Sequence, residues 1–230
     1  MKLIILKKSF IITIIAIIVA GIAIGLCATA LVKTASASQG ERVIVIDAGH
    51  GGIDAGVVGR STDVKESDIN IAIAKQLKSY FSEAGFTVVM TRNSNGGLYG
   101  LPTNGFKKRD MQKRKQIIEE CSADMVISIH QNSCPLESRR GSQVFFNSDS
   151  ESGKALAYSI QKSLNEMEEC VRKSNALTGD YFMLKCTENP SVIVECGFLT
   201  NREDEKLLST PAYQKSVAYA IFKGAVGYFG

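Results

Sequence analysis

The sequence predicts an α/β fold: a single three-layer domain with a mostly parallel or mixed sheet and helices on both faces, preceded by one transmembrane or signal-like helix. Three observations carry this expectation. Short, uniformly apolar runs such as "VIVI" (43–46), "MVISI" (125–129) and "SVIV" (191–194) recur along the chain. Their length and bareness suit strands buried on both faces better than half-exposed edges. Between them lie segments whose apolar residues return every three or four positions, the spacing of one helix face. Ahead of both, Phe10 to Val32 is almost wholly apolar, and about 20 such residues suffice to cross a bilayer as a helix.

Taken in order, Lys2, Lys7 and Lys8 precede that first segment and only Lys33 follows it closely. The bias of positive charge toward the cytoplasmic side places the N-terminus inside and everything after it outside. Ala35 and Ala37 in "ASAS" also fit a cleavage site, and export holds on either reading. Residues 1–33 are thus an anchor or signal segment, 34–40 a linker and 41–230 the folded domain. Val43–Ile46 is the first strand. Ser67 can cap a helix carrying Ile69, Ile73, Leu77 and Tyr80 or Phe81, closed by Gly85. A strand at 86–91 leads into a glycine-rich loop over 93–108, then a helix over about 109–120 and a strand at 125–129. A strand at 142–146 and a helix over 151–168 follow. Residues 181–185 read as a short strand or extended segment. The strand at 191–194 and a closing helix over 212–229 complete the domain.

Composition excludes some partners. The formal charge is +4, from 27 Lys+Arg against 23 Asp+Glu. Residues 1–40 contain four lysines and no acid, so the remainder is balanced at 23 against 23. A nucleic-acid binder needs surplus basic charge in its folded part, and none is left. Six cysteines without a CxxC pair, an odd five of them in the folded part, do not read as a disulfide scaffold and are expected to be buried free thiols.

The chemistry-bearing residues gather at strand ends. The chain's two histidines, His50 in "VIVIDAGH" and His130 in "VISIH", each follow a buried strand, and Glu195 follows "SVIV". In open α/β sheets the carboxyl ends of strands line the ligand crevice, so residues from three strands can converge there. Two imidazoles in equivalent places suggest a shared metal, and His₂Glu is a known catalytic zinc set. Glu66, placed on the loop before the capping Ser67, is the candidate third ligand. Glu195, shielded by apolar neighbours, is expected to have a raised pKa and to shuttle a proton. Asp47 either holds a histidine's second nitrogen or caps the glycine turn. Arg92 binds an anionic substrate group or acts as a structural clamp. No phosphate loop is present. A cysteine nucleophile is the competing chemistry, but in a strand Cys196 faces away from Glu195.

These pieces, "IDAGHGGIDAG" (46–56), Glu66, "VVMTR" (88–92), "ADMVISIHQN" (123–132), "GSQVFF" (141–146) and "NPSVIVECGFLTNREDEKLL" (189–208), together resemble the zinc-dependent N-acetylmuramoyl-L-alanine amidases of the Amidase_3 family. The resemblance spans about 42–229 and implies a six-stranded sheet, Zn²⁺ held by His50, Glu66 and His130, and Glu195 as the catalytic glutamate. It implies hydrolysis of the amide between N-acetylmuramic acid and L-alanine in peptidoglycan, with Arg114 helping to shape the site. The glycine-rich insert, "DYFMLKCTENP" and the single N-terminal apolar segment look most like the spore-cortex, germination-specific (CwlD) type, which works with a deacetylase to form muramic δ-lactam. The implied setting is the cell envelope between forespore and mother cell, with an envelope accessory protein as a further partner. A non-catalytic wall-binding or scaffold protein and another envelope zinc peptidase or deacetylase are the alternatives. Ser133 and Cys196 depart from the family's usual residues.

Overall fold

Bare strands joined by long crossovers force a parallel core, and the computed structural model, which describes residues 42–230, has one. Its elements are β1 (Val43–Ala48), α1 (Glu66–Glu83), β2 (Thr87–Met90), α2 (Phe106–Glu120), β3 (Met125–Asn132) and β4 (Gln143–Phe146). They continue with α3 (Glu151–Asn165), β5 (Leu177–Thr178), a 3₁₀ turn (Phe182–Lys185), β6 (Ser191–Phe198), α4 (Arg202–Leu208) and α5 (Pro211–Phe229). The six strands form one sheet in the order β2-β1-β3-β6-β4-β5. β1 runs parallel to β2 and β3, and β3 parallel to β6, while β4 is antiparallel to β6. The sheet is therefore mixed, and its central strands are the parallel ones.

Alternation along the strands sorts side chains onto two unequal faces. Ile44, Ile46, Ile127, Ile129, Val192, Val194 and Cys196 pack with α1, α3 and α5 in the larger core. Val45, Val126 and Ile193 pack with Ile118 of α2 and with Met183 and Leu184 of the 3₁₀ turn in a smaller one. By the same alternation, Asp47, Ser128, His130 and Glu195 point to the smaller, α2-covered side. Register places Asp47 beside Ser128 and His130 beside Glu195. The site occupies the carboxyl ends of β1, β3 and β6 on that side.

Local signals explain most boundaries. Ser150 accepts from the Gly153 N–H at the start of α3, and Thr210 caps α5 with Pro211 in its first turn. Gly85, with φ 89°, closes α1. Several expectations need correction. Ser67 is not a cap: the N-cap of α1 is Lys65, without a side-chain cap bond, and Ser67 is buried in the first turn. α2 starts at Phe106 rather than 109, and β6 continues through Glu195 to Phe198. Residues 182–185 form a 3₁₀ turn, not a strand, because Met183 and Leu184 must both reach inward beneath the sheet. The expected anchor (1–33) and linker (34–40) lie outside the described residues, among which no helix is long and apolar enough to cross a membrane.

Candidate metal centre and its cleft

The turn after β1 presents His50, and two arginines hold that turn. Arg92 donates from Nε to the Ala48 carbonyl (2.8 Å) and from Nη2 to the Gly49 carbonyl (3.0 Å) and the Ser67 carbonyl (2.8 Å). Arg114 donates from Nη1 to the Ala48 carbonyl (2.7 Å) and from Nη2 to the His50 carbonyl (2.7 Å). Both guanidinium groups are buried. Of the two roles weighed for Arg92, the clamp is the one observed. His50 itself sits at φ 59°, in the left-handed region, a cost of order 1 kcal/mol that these fixed carbonyl contacts offset.

His50, Glu66 and His130 come together. One donor atom from each lies within 4.8 Å of the others, a grouping able to hold a metal ion. His50 Nε2 is 3.3 Å from Glu66 Oε1, and His130 Nδ1 is 3.0 Å from the same oxygen. The imidazole rings meet edge to face at 5.1 Å. Glu66 is the first residue of α1, 2% exposed, rather than a loop residue. Its Oε2 accepts from the Val57 N–H at 2.8 Å and its Oε1 from the Gln131 N–H at 3.1 Å, so the carboxylate has little freedom to turn. Two glycines make room. A Cβ on Gly49 would stand 2.2 Å from His130 Cε1, and one on Gly56 (φ 67°) 2.3 Å from Glu66 Oε2.

The partner of His50 Nδ1 is Asp54, whose Oδ2 lies 2.9 Å away. That leaves Nε2 facing Glu66, the orientation a ligand nitrogen needs. The sequence offered Asp47 for this role, and the structure assigns it elsewhere. Asp47 is fully buried and accepts from Arg114 Nη1 (2.5 Å), Thr91 Oγ1 (2.7 Å) and Ser128 Oγ (2.5 Å). It braces β1, β3, α2 and the residue that follows β2 against one another.

Electrostatics separates these acids. Burial pushes both Asp47 and Glu195 upward. For Asp47 the Arg114 charge, then the hydrogen bonds from Ser128 and Thr91, reverse that and hold it at about 2. For Glu195 burial prevails: the attraction of His130 is countered by the repulsion of Glu66, and the pKa stands at about 7. Glu195 Oε2 is buried without a hydrogen-bond partner. Burial opposes ionisation of Glu66 as well, but hydrogen bonds and charge from His130 and His50 hold it well below the usual carboxylate range. Cys196 is fully buried on the opposite face, and burial raises its thiol pKa steeply. That removes it as a nucleophile.

The cleft over these groups encloses about 250 Å³. One wall carries Asp54, Lys107 and Asp110, and the other Tyr181, Phe182 and Met183. Sequence reading did not single out Asp54, Lys107 or Tyr181. The "HGGID" spacing puts Asp54 four after His50, a signal readable only if the turn's fold-back is known.

The sequence model of the Amidase_3 family, N-acetylmuramoyl-L-alanine amidase, matches residues 44–226. The germination-specific N-acetylmuramoyl-L-alanine amidase of Bacillus subtilis is 35% identical over 192 residues, 82% of this chain and 80% of that protein. The structure of the CwlD amidase from Clostridioides difficile, solved in complex with the GerS lipoprotein, superposes with a TM-score of 0.79 at 34% identity. That match covers 82% of this chain and 98% of the other. AmiC2 of Nostoc punctiforme, an N-acetylmuramoyl-L-alanine amidase, gives a TM-score of 0.71 at 28% identity over 82% of this chain and 97% of its own. With a family match across nearly the whole described domain and a cluster competent to hold a metal at its centre, this chain belongs to the Amidase_3 N-acetylmuramoyl-L-alanine amidases.

Proposed function

We propose that the chain is a zinc-dependent amidase acting on peptidoglycan outside the cytoplasmic membrane, with His50 Nε2, Glu66 Oε1 and His130 Nδ1 as the metal donors and Glu195 as the proton-transfer residue. The observation that carries the reading is the meeting of those three donors beside a buried carboxyl oxygen that has no hydrogen-bond partner among the described residues. Two imidazoles and one carboxylate are a donor set that suits zinc and leaves a position open. Bound there, zinc supplies polarisation of the scissile carbonyl and makes a water reactive near neutral pH. The protein's own residues do the rest. Asp54 fixes the His50 ring so that Nε2 points inward. Glu195 Oε2 takes up the proton of the attacking water and releases it to the departing alanine nitrogen. Burial lifts the Glu195 carboxyl above the usual carboxylate range, the direction that suits a group that must both accept and donate a proton.

Similarity to the germination-specific amidase of Bacillus subtilis and to the Clostridioides difficile CwlD supports a narrower role in spore-cortex maturation, alongside a deacetylase in muramic δ-lactam formation. The solved complex of that CwlD with a lipoprotein supports an envelope accessory partner. Residues 1–33 would tether the domain 41–230 or direct its export. The test is mass spectrometry of muropeptides after incubation with zinc-loaded and with metal-stripped protein. Free stem peptides and intact glycan chains are expected only with the loaded protein. Stem peptides that all remain attached would overturn the reading.

A further inference from the structure

The cleft has two chemically different ends, and strand order fixes where each lies. His50 and Asp54 follow β1, and Lys107 reaches Asp54 Oδ1 at 3.3 Å. Tyr181 rests on Phe145 of β4. In the order β1-β3-β6-β4, Glu195 of β6 stands between these two ends. We propose that this asymmetry sets the direction of the substrate: the muramyl sugar lies on Tyr181, and a carboxylate of the stem peptide pairs with Lys107. This rests on the amidase reading above and adds substrate orientation to it.

At the aromatic end, Tyr181 is 41% exposed yet held in place. Phe145 meets its ring edge to face at 5.5 Å. The ring also lies so close to Gly179 that a Cβ there would stand 2.4 Å from Cε2. Phe182, also 41% exposed, extends the same wall. An aromatic face held by packing on one side and open on the other binds the C–H face of a sugar ring with little ordering cost.

At the other end, the arginine and lysine side chains lining the cleft are Arg114 and Lys107. Arg114 is buried and committed to Asp47, Asp110 and two carbonyls. Lys107 is 68% exposed, and its pair with Asp54 is long. Such exposed pairs are weak, so the ammonium can turn a donor to an incoming carboxylate. Asp54 keeps its other oxygen on His50. A sugar carries no charge for Lys107 to meet, whereas the peptide side of the scissile amide carries carboxylates. The aromatic wall offers those carboxylates no donor of comparable charge.

The experiment measures kcat/KM on soluble disaccharide-peptides, on the same compounds with the stem carboxylate amidated, and on a sugar-free N-lactyl peptide. Lys107→Gln should cut the preference for the free carboxylate about five- to tenfold and leave the sugar preference. Tyr181→Ala should cut the preference for the sugar-bearing substrate about tenfold and leave the carboxylate preference, with Tyr181→Phe retaining it and Tyr181→Leu losing it. Effects exchanged between the two residues, or both variants lowering every substrate equally, would overturn the proposal. Failure of the wild-type protein to release peptide from any of the three would instead overturn the amidase reading.

Discussion

Asp47 and Glu195 sit on the same face of the same sheet, deep in the same cleft, and end in opposite states. Asp47 receives three hydrogen bonds, one of them from a buried guanidinium, and is held ionised at about 2. Glu195 has an oxygen with no partner and is lifted to about 7. Burial alone does not mark a reactive acid; what matters is whether the fold has already satisfied it. A carboxylate with both oxygens hydrogen-bonded braces the structure, and one with an oxygen left unsatisfied is available to a substrate or a water.

Four measurements sharpen or break that contrast. The largest effect belongs to Glu195→Gln. It should lower kcat by about 10²–10⁴ while zinc content by elemental analysis and Tm stay at wild-type values, since no internal hydrogen bond is lost. Retained turnover would place the proton transfer elsewhere. Asp47→Ala should do the reverse in kind. Leaving Arg114 buried without its main counter-charge is expected to cost about 3–5 kcal/mol of stability, read as a lower denaturation midpoint. A variant as stable as the wild type would mean that Asp110 and the carbonyls suffice for Arg114.

A third test is acid titration of stability. Because the folded-state pKa of Asp47 is depressed from 3.8 to about 2, its contribution is complete above about pH 4. It is lost as pH falls through about 2, amounting to about 2–3 kcal/mol at about 1.4 kcal/mol per unit. The Asp47→Ala variant should lack that part of the acid limb, and an identical limb in both proteins would contradict the assignment. The smallest effect is expected from Cys196→Ala. The thiol lies on the far face of the sheet, so kcat should change by no more than about twofold, with at most a modest loss of Tm from the vacated volume. A large fall in kcat with Tm intact would reopen thiol chemistry.

Much of this arrangement was legible in the sequence because it depends on local pattern. Bare apolar runs locate β1, β3 and β6, and period-two alternation sets Glu195 opposite in facing to Cys196. Two histidines behind two such runs pointed to the cluster. What stayed hidden is long-range or depends on turn geometry. Asp47 finds Arg114 67 positions away, and nothing near either residue announces the pairing. Asp54 reaches His50 only because the chain folds back through Gly51 and Gly52, both at positive φ. The "DYFMLK" segment has the apolar content of a strand, but burying Met183 and Leu184 together requires the tighter 3₁₀ turn. α4 is only seven residues long with three acids in its first turn, too short to show a period; its one signal was Asn201, which caps it.

The strand order carries a last consequence. The rim strands, β2 with four residues and β5 with two, are short, while β1, β3 and β6, whose carboxyl ends carry the site, are six to eight residues long and have neighbours on both sides. Thermal fraying begins at borders and works inward, so the sheet can loosen at either margin without shifting the distance between the two imidazoles. Amide protons of β2 and β5 would exchange with solvent long before those of β3, and the hydrolytic centre would be among the last parts of the molecule to come apart.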